Sequence, residues 1–484
     1  MSGSIRVRLS GILMFVGNLV TLLTGLIFNI LIARNLQPAA LGAWFLIGSI
    51  IPYFQVLEKA IPYWAGREIP RGRQVGKTTL TFNILISLPI TIVFILLSNT
   101  LASIANIQPR TILLASLFIP TYYAAAALTS ITYSTAPHRL GLRTIIIDGV
   151  KIPLALILLP LGLEGVMIAV IIGNTVYITY LYKTSQDQLE KRIDTAWLRQ
   201  SLKKSWLPVH ETLIGYLSAA TDSLIIGLLL TMVDLSQYGI ALAIASVVGM
   251  GKSLTGAIYP KLLKAGTATP DELKALFKFQ HIFITPMVAG GIALAPQLIT
   301  IFGAKYLPAA TILPLLLLSP ALGITSLTMR TVITGIEKAD KKTNNRGLLK
   351  SPLFTTQLPG YLYAASLILI TAATVRDLGI MGAAIARLAA SAISFIPMCI
   401  LYSRIAPLST ILHGLKKTVP ASIVMSVLLL LINPRGSLYT IAAVGLGACI
   451  YFATLFIIDR DSRALAVKTI NEAKKLLMIQ ANST

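Results

Sequence analysis

Seven charged side chains lie inside long apolar stretches of the chain, where a purely structural membrane helix would not need them. Asp222 and Arg387 lie nearest the middle of their stretches, and Lys252 lies in the inner half of its own. The other four are Glu58, Lys59, Asp148 and Lys151. A charge at the centre of a bilayer costs about 2.5 to 3.5 kcal/mol, so such residues usually face water, a partner or a substrate path. Asp222, Lys252 and Arg387 are therefore the candidates for a functional role.

A structural interpretation competes with this functional one. Asp148 and Lys151 are spaced i, i+3 on one helix, so they are expected to neutralise each other. Glu58 and Lys59 lie close to the inner interface, where a charge needs no special role. In the same interpretation, Asp222 pairs with Lys252 or Arg387, and this ion pair would hold two lobes of the protein together.

Polar and small residues on two stretches fall on one helical face. The first stretch carries Asn18, Thr21, Gly25 and Asn29, and the seventh carries Glu211, Gly215, Ser218 and Asp222. Spacings of three or four residues place each set on one side of its helix. We expect Asn18, Asn29 and Ser218 to line a water-filled cavity. The alternative is that small residues serve close packing between membrane helices.

Residue patterns of soluble enzymes are missing. The 4 histidines form no metal-ligand pair, and Cys399 and Cys449 lie far apart within apolar stretches. The Gly-Lys-Ser sequence at residues 251–253 lacks the earlier glycine of a phosphate-binding loop and follows no strand. The sequence therefore predicts no catalytic residue, no metal site, no cofactor and no ATP hydrolysis within this chain.

The composition requires a membrane environment. The chain has 484 residues, of which 55% are hydrophobic and only 12% are charged, and its mean hydropathy is +0.78. Such a chain cannot present a soluble surface. We expect an all-α polytopic membrane protein with about fourteen transmembrane helices of about 20 residues each. The predicted spans are 11–33, 41–64, 78–98, 112–133, 145–163, 165–182, 212–232, 238–259, 281–302, 309–329, 361–373, 379–401, 419–432 and 438–458.

The distribution of basic residues predicts the orientation of the spans. The net charge of +23 would suggest nucleic acid in a soluble protein, but most of the 41 Lys and Arg fall in alternate, inner segments. Five lie in outer loops: Arg34, Arg110, Lys305, Arg376 and Arg435. This asymmetry predicts a protein of the cell membrane with both termini in the cytoplasm. It predicts membrane lipids and not nucleic acid as the partners of the basic loops.

Two segments are predicted to be amphipathic helices lying on the membrane. The first covers residues 191–204, with Trp197, Leu198 and Leu202 as its apolar side. The second covers residues 459–480 in the carboxyl-terminal tail. The spans at 361–373 and 419–432 are the weakest, because the first is short and the second follows a basic turn.

A faint internal repeat divides the chain. Gly42, Ile47 and Ser49 align with Gly239, Ile244 and Ser246 when the sequence is shifted against itself. Repeat symmetry is common in transporters. It predicts two pseudo-symmetric six-helix lobes, with the first two helices facing the seventh and eighth, and two further helices. The predicted boundaries are 1–183 and 208–404 for the lobes, 184–207 for a cytoplasmic linker, 405–458 for the last two helices and 459–484 for the tail.

Three segments resemble the polysaccharide and lipid-linked oligosaccharide flippases of the multidrug/oligosaccharidyl-lipid/polysaccharide superfamily. Leu31-Ile-Ala-Arg34-Asn-Leu, followed by Ala40-Leu-Gly42, is similar to the turn between that family's first two helices. Asp222 followed by Tyr238-Gly239-Ile-Ala resembles its seventh and eighth helices. Ile301-Phe-Gly303-Ala-Lys305-Tyr306-Leu-Pro-Ala309-Ala resembles its signature after helix nine.

The resemblance implies two six-helix bundles around a central cavity and the movement of a polyprenyl-phosphate-linked oligosaccharide from the inner to the outer leaflet. That movement would proceed by alternating access, for cell-surface polysaccharide or glycoprotein assembly, with other glycan-assembly proteins as partners. The phosphate-binding cations would be Lys59, Lys151, Lys252 and Arg387. Charge partners or coupling residues would be Asp222, Glu58 and Asp148.

Two other functions remain open at this point. The first is a cation-coupled exporter of small organic molecules, of the multidrug and toxic compound extrusion type. Helix one carries no charged residue between the start of its span and Arg34, and exporters of that type often use an acid there. The second is a non-transporting scaffold of a glycan-assembly complex, which would tolerate neutralisation of Asp222, Lys252 and Arg387 together.

Overall fold

The computed structural model describes residues 2–189, 192–251, 266–336 and 355–463, with the side chains of residues 2–16, 18, 19 and 105 not described. The described chain folds into α-helices joined by short turns, with no strand among these residues. The first helices are α1 (Ser2–Asn35), α2 (Pro38–Phe54), α3 (Pro62–Glu68), α4 (Gly76–Leu96), α5 (Ser98–Ala105), α6 (Pro109–Ala115), α7 (Phe118–Thr135), α8 (Arg143–Leu158), α9 (Gly162–Thr184) and α10 (Thr195–Lys204). The later ones are α11 (Trp206–Leu229), α12 (Met232–Ala245), α13 (Pro270–Ala293), α14 (Ala295–Phe302), α15 (Leu313–Ile336), α16 (Leu358–Ser403), α17 (Ser409–Leu412), α18 (Leu415–Ile432) and α19 (Ser437–Ile458).

The helices confirm the all-α membrane fold and agree with about fourteen spans. Among the described residues, ten helices are long and apolar enough to cross a membrane by length and composition. Two of them, Pro137–Thr184 and Leu358–Ser403, have 48 and 46 residues, which is enough for two crossings each. Two shorter apolar helices at Val20–Asn35 and Pro38–Phe54 complete the set.

Glycine marks the turn inside each double-length helix. Gly162 has a φ of 63° and Gly379 has a φ of 57°, a backbone region that favours glycine. The weak eleventh span is therefore longer than its predicted 361–373, because helix α16 begins at Leu358 and runs to this break.

The second predicted span, 41–64, is interrupted and is not one continuous helix. Helix α2 ends at Phe54, and residues 55–61 form turns before α3 begins at Pro62. Proline lies at both ends: Pro52 lacks an N–H for the last turns of α2, and Pro62 begins α3, where a helix needs no N–H. We call residues 55–61 the α2 break.

The contacts divide the chain into two compact units. The first unit contains residues 1–244 and 357–394, and the second contains 245–356 and 395–484. Within the first unit, α2 packs against α11, and the Tyr53 hydroxyl lies 2.5 Å from that of Thr221. The predicted lobe boundaries rest on the repeat and stay a prediction.

The second unit has an apolar core with one neutral polar cluster. Phe277 and Tyr402 pack edge to face in one hydrophobic cluster of this core. Nearby along α13, the fully buried Gln280 donates to the Thr325 hydroxyl at 3.1 Å and accepts from Thr328 at 2.6 Å. These partners satisfy the buried amide without introducing a charge.

The segment predicted to lie on the membrane as an amphipathic helix instead packs on the protein. Helix α10 covers Thr195–Lys204, and Trp197 is 3% exposed in a cluster with Ile61, Ala65 and Val75. Asp194 caps the start of α10 by accepting a hydrogen bond from the Trp197 N–H. Arg73, in the loop before α4, donates to the same carboxylate and so holds the start of α10 against that loop. Of the three residues predicted to form its apolar side, only Leu202 is exposed. The second predicted amphipathic segment falls mostly outside the described residues.

Candidate functional site

Asp222 is the centre of a buried ionic cluster in the first unit. It lies on α11 and is 0% exposed. The Arg387 Nε of α16 donates to Asp222 Oδ2 at 2.6 Å, and the Tyr238 hydroxyl of α12 donates to the same oxygen at 2.5 Å. The Ser223 N–H donates to the other carboxylate oxygen at 2.8 Å. The carboxylate is therefore fully compensated by a cation and by hydrogen bonds.

Glycines let α2 pack closely against α11 and α12 beside this cluster. A Cβ at Gly239 would lie 2.3 Å from the Phe45 ring, and one at Gly227 would lie 2.6 Å from the Leu46 side chain. At Gly42, a Cβ would lie 1.8 Å from the Met232 carbonyl oxygen. Glycine at these positions therefore lets α2 approach α11 and α12 closely enough to bury the cluster.

One face of α11 is open and lacks large apolar side chains. Glu211, Gly215 and Ala219 are exposed along it, and nothing lies within 4 Å of a Cβ built on Gly215. The Arg387 guanidinium donates to the Ala219 carbonyl at 3.2 Å, so this face ends at the ionic cluster. Ser218 on the same side is half-buried and donates to the Ile214 carbonyl of its own helix. A charged and small-residue face exposed in a membrane helix fits water or a polar substrate better than lipid.

Glu58 occupies the α2 break and contacts α11. It is 8% exposed, and the Tyr216 hydroxyl donates to its carboxylate at 3.0 Å. The neighbouring Lys59 is exposed and forms no salt bridge with a residue in the described ranges. The break therefore presents an anchored acid and a free cation side by side.

Side chains from other elements satisfy the carbonyls that the α2 break leaves unpaired. Asn83 of α4 donates to the Glu58 carbonyl at 2.8 Å, and Ser205 of the linker donates to that of Ala60 at 2.9 Å. On the helix before the break, Tyr123 donates to the Phe54 carbonyl at 3.0 Å. Unpaired carbonyls are costly in a membrane interior, so these donors stabilise the interruption as a fixed feature.

Asp148 and Lys151 form another largely buried ion pair of the first unit, as their spacing predicts. Lys151 Nζ lies 2.5 Å from the Asp148 carboxylate, and the side chains are 13% and 10% exposed. Thr24 of α1 donates to the same carboxylate. The Lys151 ammonium also lies 4.4 Å from the centre of the Phe28 ring, a cation–π contact with α1.

The predicted site residues are therefore distributed over three places in one unit. Asp222 and Arg387 meet, as do Asp148 and Lys151, whereas Glu58 bonds to a tyrosine and Lys59 has no ionic partner among the described residues. The polar face of α1 contacts α8 through Thr21 and Thr24, and Asn29 is half-buried. Lys252 and the side chain of Asn18 lie outside the described residues.

Two tyrosines of the site were not identified from the sequence. Tyr238 completes the Asp222 cluster, and Tyr216 anchors Glu58. Neither is among the predicted site residues, although Tyr216 lies six positions before Asp222 on α11. A buried tyrosine usually needs a hydroxyl partner, so tyrosines in charged spans are a usable signal for such anchors.

No group of three or more His, Cys, Asp and Glu side chains suited to a metal ion occurs within the described ranges. Glu58, Asp148 and Asp222 lie on separate elements, and each has its own donor. The charged groups are instead arranged as ion pairs, with an exposed cation beside Glu58.

Comparison with protein families shows to which family the chain belongs. The sequence profile of a family described as "Polysaccharide biosynthesis protein" matches residues 70–311, half of the 484-residue chain. The chain belongs to this polysaccharide biosynthesis family. The resemblance recognised in the sequence is confirmed. Comparison with curated protein sequences finds no match.

Solved structures share the fold of this family member at low sequence identity. "Lipid II flippase MurJ, inward closed conformation" has a TM-score of 0.75 and 15% identity, covering 93% of this chain and 99% of that one. An inward-facing multidrug resistance MATE family transporter of the MOP superfamily has a TM-score of 0.55 and 14% identity, covering 79% and 95%. The bent form of the Vibrio cholerae MATE transporter VcmN has a TM-score of 0.52 and 17% identity, covering 84% and 97%. The fold is thus one that solved membrane transporters use.

Proposed function

We propose that the protein moves a polyprenyl-phosphate-linked oligosaccharide from the inner to the outer leaflet by alternating access. The product would serve cell-surface polysaccharide or glycoprotein assembly, and the protein would act as a transporter without catalytic chemistry of its own. Membership of the polysaccharide biosynthesis family supports the substrate class. The similar fold of MurJ, whose structure is described as that of a lipid II flippase, also supports the proposal.

The open polar face of α11 carries the proposal. This face runs from the exposed Glu211 past Gly215 to the Asp222–Arg387 pair, inside a helix long enough to span the membrane. A glycan crossing a bilayer needs a wall of this kind, because sugar hydroxyls lose their hydrogen bonds in hydrocarbon. The prenyl chain would stay in lipid while the polar head follows the wall.

The proposed substrate-binding cations are Lys59, Lys151, Lys252 and Arg387, and Asn18, Asn29 and Ser218 are proposed as polar lining. Two of these cations are held by carboxylates, those of Asp148 and Asp222. A phosphate would therefore bind them by displacing or sharing a carboxylate partner, which links binding to movement of the helices that carry the pairs. Glu58, Asp148 and Asp222 are proposed as the charge partners in that exchange.

The cation-coupled exporter is the alternative function, and the MATE folds are compatible with it. That mechanism needs an acid that binds and releases a cation or a proton. Asp222 is buried but already holds the Arg387 guanidinium at 2.6 Å. A coupling cation would have to displace an arginine from this carboxylate, so the ion pair favours the flippase.

The wider arrangement is proposed on the same basis. The protein would lie in the cell membrane with both termini in the cytoplasm, because basic residues concentrate in the inner segments. The lobes would be residues 1–183 and 208–404, with 184–207 as the linker. Other glycan-assembly proteins and membrane lipids would be its partners.

Reconstitution into liposomes tests this function directly. A fluorescent polyprenyl-diphosphate disaccharide is placed in both leaflets, and dithionite then removes the fluorescence of the outer leaflet. We expect the protein to make the inner-leaflet fraction accessible within the assay, while protein-free liposomes retain it. Arg387→Gln together with Asp222→Asn should slow the exchange by at least tenfold, since the open face then loses its charged end.

A matched control is Arg110→Gln, which removes an arginine of a predicted outer loop that pairs with Glu164 at 3.0 Å. This variant should exchange lipid like the wild type. Exchange of the disaccharide no faster than in protein-free liposomes would contradict the proposed function. A proton- or sodium-dependent efflux of small organic cations from the same liposomes would then favour the exporter.

A further inference from the structure

Four aromatic rings from α1, α2 and α7 form a row in the first unit. The Phe28 ring of α1 and the Trp44 indole of α2 pack edge to face, with ring centres 6.3 Å apart. Phe118 of α7 packs edge to face against the same indole at 6.4 Å. Tyr122, one turn later on α7, stacks on Phe118 at 6.0 Å, with an angle of 21° between the ring planes. We call these four residues the aromatic row.

The members of the aromatic row differ in burial. Phe28 and Phe118 are 5% and 3% exposed. Trp44 and Tyr122 are half-buried, so each keeps part of its surface accessible. Edge-to-face neighbours on two sides fix the orientation of the Trp44 indole, and a side chain that is already ordered loses little entropy when a ligand binds it.

The polar groups of the two half-buried rings are open. The Trp44 N–H and the Tyr122 hydroxyl form no hydrogen bond with a residue that the structure describes, and neither atom is enclosed by protein. The neighbouring Tyr123 differs, because it is fully buried and donates to the Phe54 carbonyl at 3.0 Å. A donor in a membrane span needs a partner, because leaving it unpaired in hydrocarbon is costly. Trp44 and Tyr122 therefore suit a ligand that has both an apolar face and hydroxyl groups.

The surface beside these rings differs from a lipid-facing one. Helix α2 exposes only Ala39 and Gly48, and nothing lies within 4 Å of a Cβ built on Gly48, one turn from Trp44. Helix α7 exposes no aliphatic side chain. Helix α4, in contrast, exposes Ile84, Leu85, Leu88, Ile92, Val93, Ile95 and Leu96. Lipid chains favour a surface like that of α4, so the open space beside Trp44 fits water or a polar ligand better.

A sugar ring has the chemistry that matches Trp44 and Tyr122. Its C–H groups form an apolar face that can stack on an aromatic ring, and its hydroxyls at the ring edge donate and accept hydrogen bonds. The indole N–H supplies a donor, and the tyrosine hydroxyl supplies a donor or an acceptor. A prenyl chain would contact the ring faces but would leave both polar groups unpaired. The aromatic row therefore favours the glycan over the prenyl tail.

We propose that Trp44 and Tyr122 form a binding subsite for a sugar ring of the lipid-linked substrate. This inference rests on the proposed function and names contacts for the glycan, whereas the proposed cations address its phosphate. Phe28 and Phe118 hold the Trp44 indole in position without contacting the sugar.

Binding measurements in nanodiscs of phosphatidylcholine test the subsite. The probes are a fluorescent polyprenyl diphosphate that carries a disaccharide, the sugar-free polyprenyl diphosphate and the uncharged polyprenol. We expect wild type to bind the disaccharide lipid at least tenfold more tightly than the sugar-free diphosphate. Trp44→Leu should weaken binding of the disaccharide lipid by about tenfold and leave the sugar-free diphosphate unchanged. Tyr122→Phe, which removes only the hydroxyl, should weaken it by about threefold.

Trp206→Leu and Tyr133→Phe are the matched controls, because these side chains are 65% and 67% exposed and lie outside the aromatic row. Both should bind the three probes like the wild type. If Trp44→Leu fails to fold, the comparison of Tyr122→Phe with Tyr133→Phe decides in the same way.

Two results would overturn the inference and leave the proposed function standing. The first is an unchanged preference for the disaccharide lipid in Trp44→Leu, and the second is equal binding of both diphosphates by wild type. Binding of the disaccharide lipid no tighter than that of polyprenol would overturn the proposed function as well.

Discussion

Two largely buried ion pairs of the first unit, Asp148–Lys151 and Asp222–Arg387, use the same chemistry in different architectures. Asp148 and Lys151 lie on one helix, three residues apart, with side chains 10% and 13% exposed. Asp222 and Arg387 lie on helices separated by more than a hundred residues, and Asp222 is 0% exposed. The first pair forms whenever α8 forms. The second exists only when α11, α12 and α16 are packed together.

Because of this difference, the two pairs respond differently when helices move. The pair within α8 can follow its helix as a neutral unit, because both charges move together. The pair between α11 and α16 must break if those helices separate, which leaves a buried carboxylate without its cation. The Asp222–Arg387 pair is therefore better suited than the Asp148–Lys151 pair to link substrate binding to helix movement. Variants of the two pairs test this difference.

Arg387→Ala should have the largest effect on stability. It leaves the fully buried Asp222 with only the Tyr238 hydroxyl and the Ser223 N–H, at a cost of about 3 to 5 kcal/mol. Thermal unfolding followed by tryptophan fluorescence in a fixed detergent measures it. The neutral double variant Asp222→Asn, Arg387→Gln should recover part of the loss. A double variant no more stable than Arg387→Ala would show that the charge imbalance is not the cause.

Gly42→Ala should come next, because it changes the close approach of α2 that helps to bury the interhelical pair. Its Cβ would lie 1.8 Å from the Met232 carbonyl oxygen, so the backbone must shift at a cost of about 1 to 3 kcal/mol. Gly25→Ala on α1 is the matched control, since nothing lies within 4 Å of its Cβ. That control should be neutral or slightly stabilising. Equal melting temperatures of the two variants would show that the approach is not tight.

Lys151→Gln should cost less, about 1 to 2 kcal/mol, although it also breaks an ion pair. Asp148 keeps the Thr24 hydroxyl as a donor, and glutamine retains a donor of its own. The same unfolding measurement applies, with Lys203→Gln on the exposed side of α10 as the control. A loss as large as that of Arg387→Ala would remove the proposed distinction between the two pairs.

Asp194→Asn should have the smallest effect and a pH dependence that sets it apart. The Trp197 N–H at the start of α10 and the Arg73 guanidinium lower the pKa of Asp194. A lowered folded-state pKa stabilises the protein above the unfolded value of about 3.9, and this contribution is lost as pH falls through the folded-state value. Wild type should therefore exceed the variant by about 0.5 to 1 kcal/mol at neutral pH and begin to lose that margin as pH falls below about 4. A margin that stays constant throughout the acid range would contradict this origin.

Periodicity and charge placement predict local features of this fold well. The spacing of Asp148 and Lys151 predicts their ion pair, because an i, i+3 spacing fixes both on one helix face. Length and apolarity likewise predict about fourteen spans, and Pro52 and Pro62 mark the α2 break, although only the structure shows that the helix stops there. Such features depend on neighbours in the chain.

Other features depend on partners distant in sequence. Trp197 has the spacing of a membrane-facing residue, and only the position of α3 and α4 shows that it packs on the protein. Arg387 is one of two cations that the sequence offers as a partner of Asp222, and only the packed structure shows that it forms this ion pair.

Cysteine accessibility on α11 is the most direct test of the central claim, that this helix presents a wet polar wall. In a background with Cys399 and Cys449 replaced by serine, Gly215→Cys and Leu213→Cys are exposed to a membrane-impermeant thiol reagent in vesicles. Both positions are exposed at similar depth, but Leu213 lies on the apolar side. We predict rapid labelling at 215, protection there by added polyprenyl-diphosphate glycan, and little labelling at 213. Equal, slow labelling at both positions would place the α11 face in lipid and contradict the account.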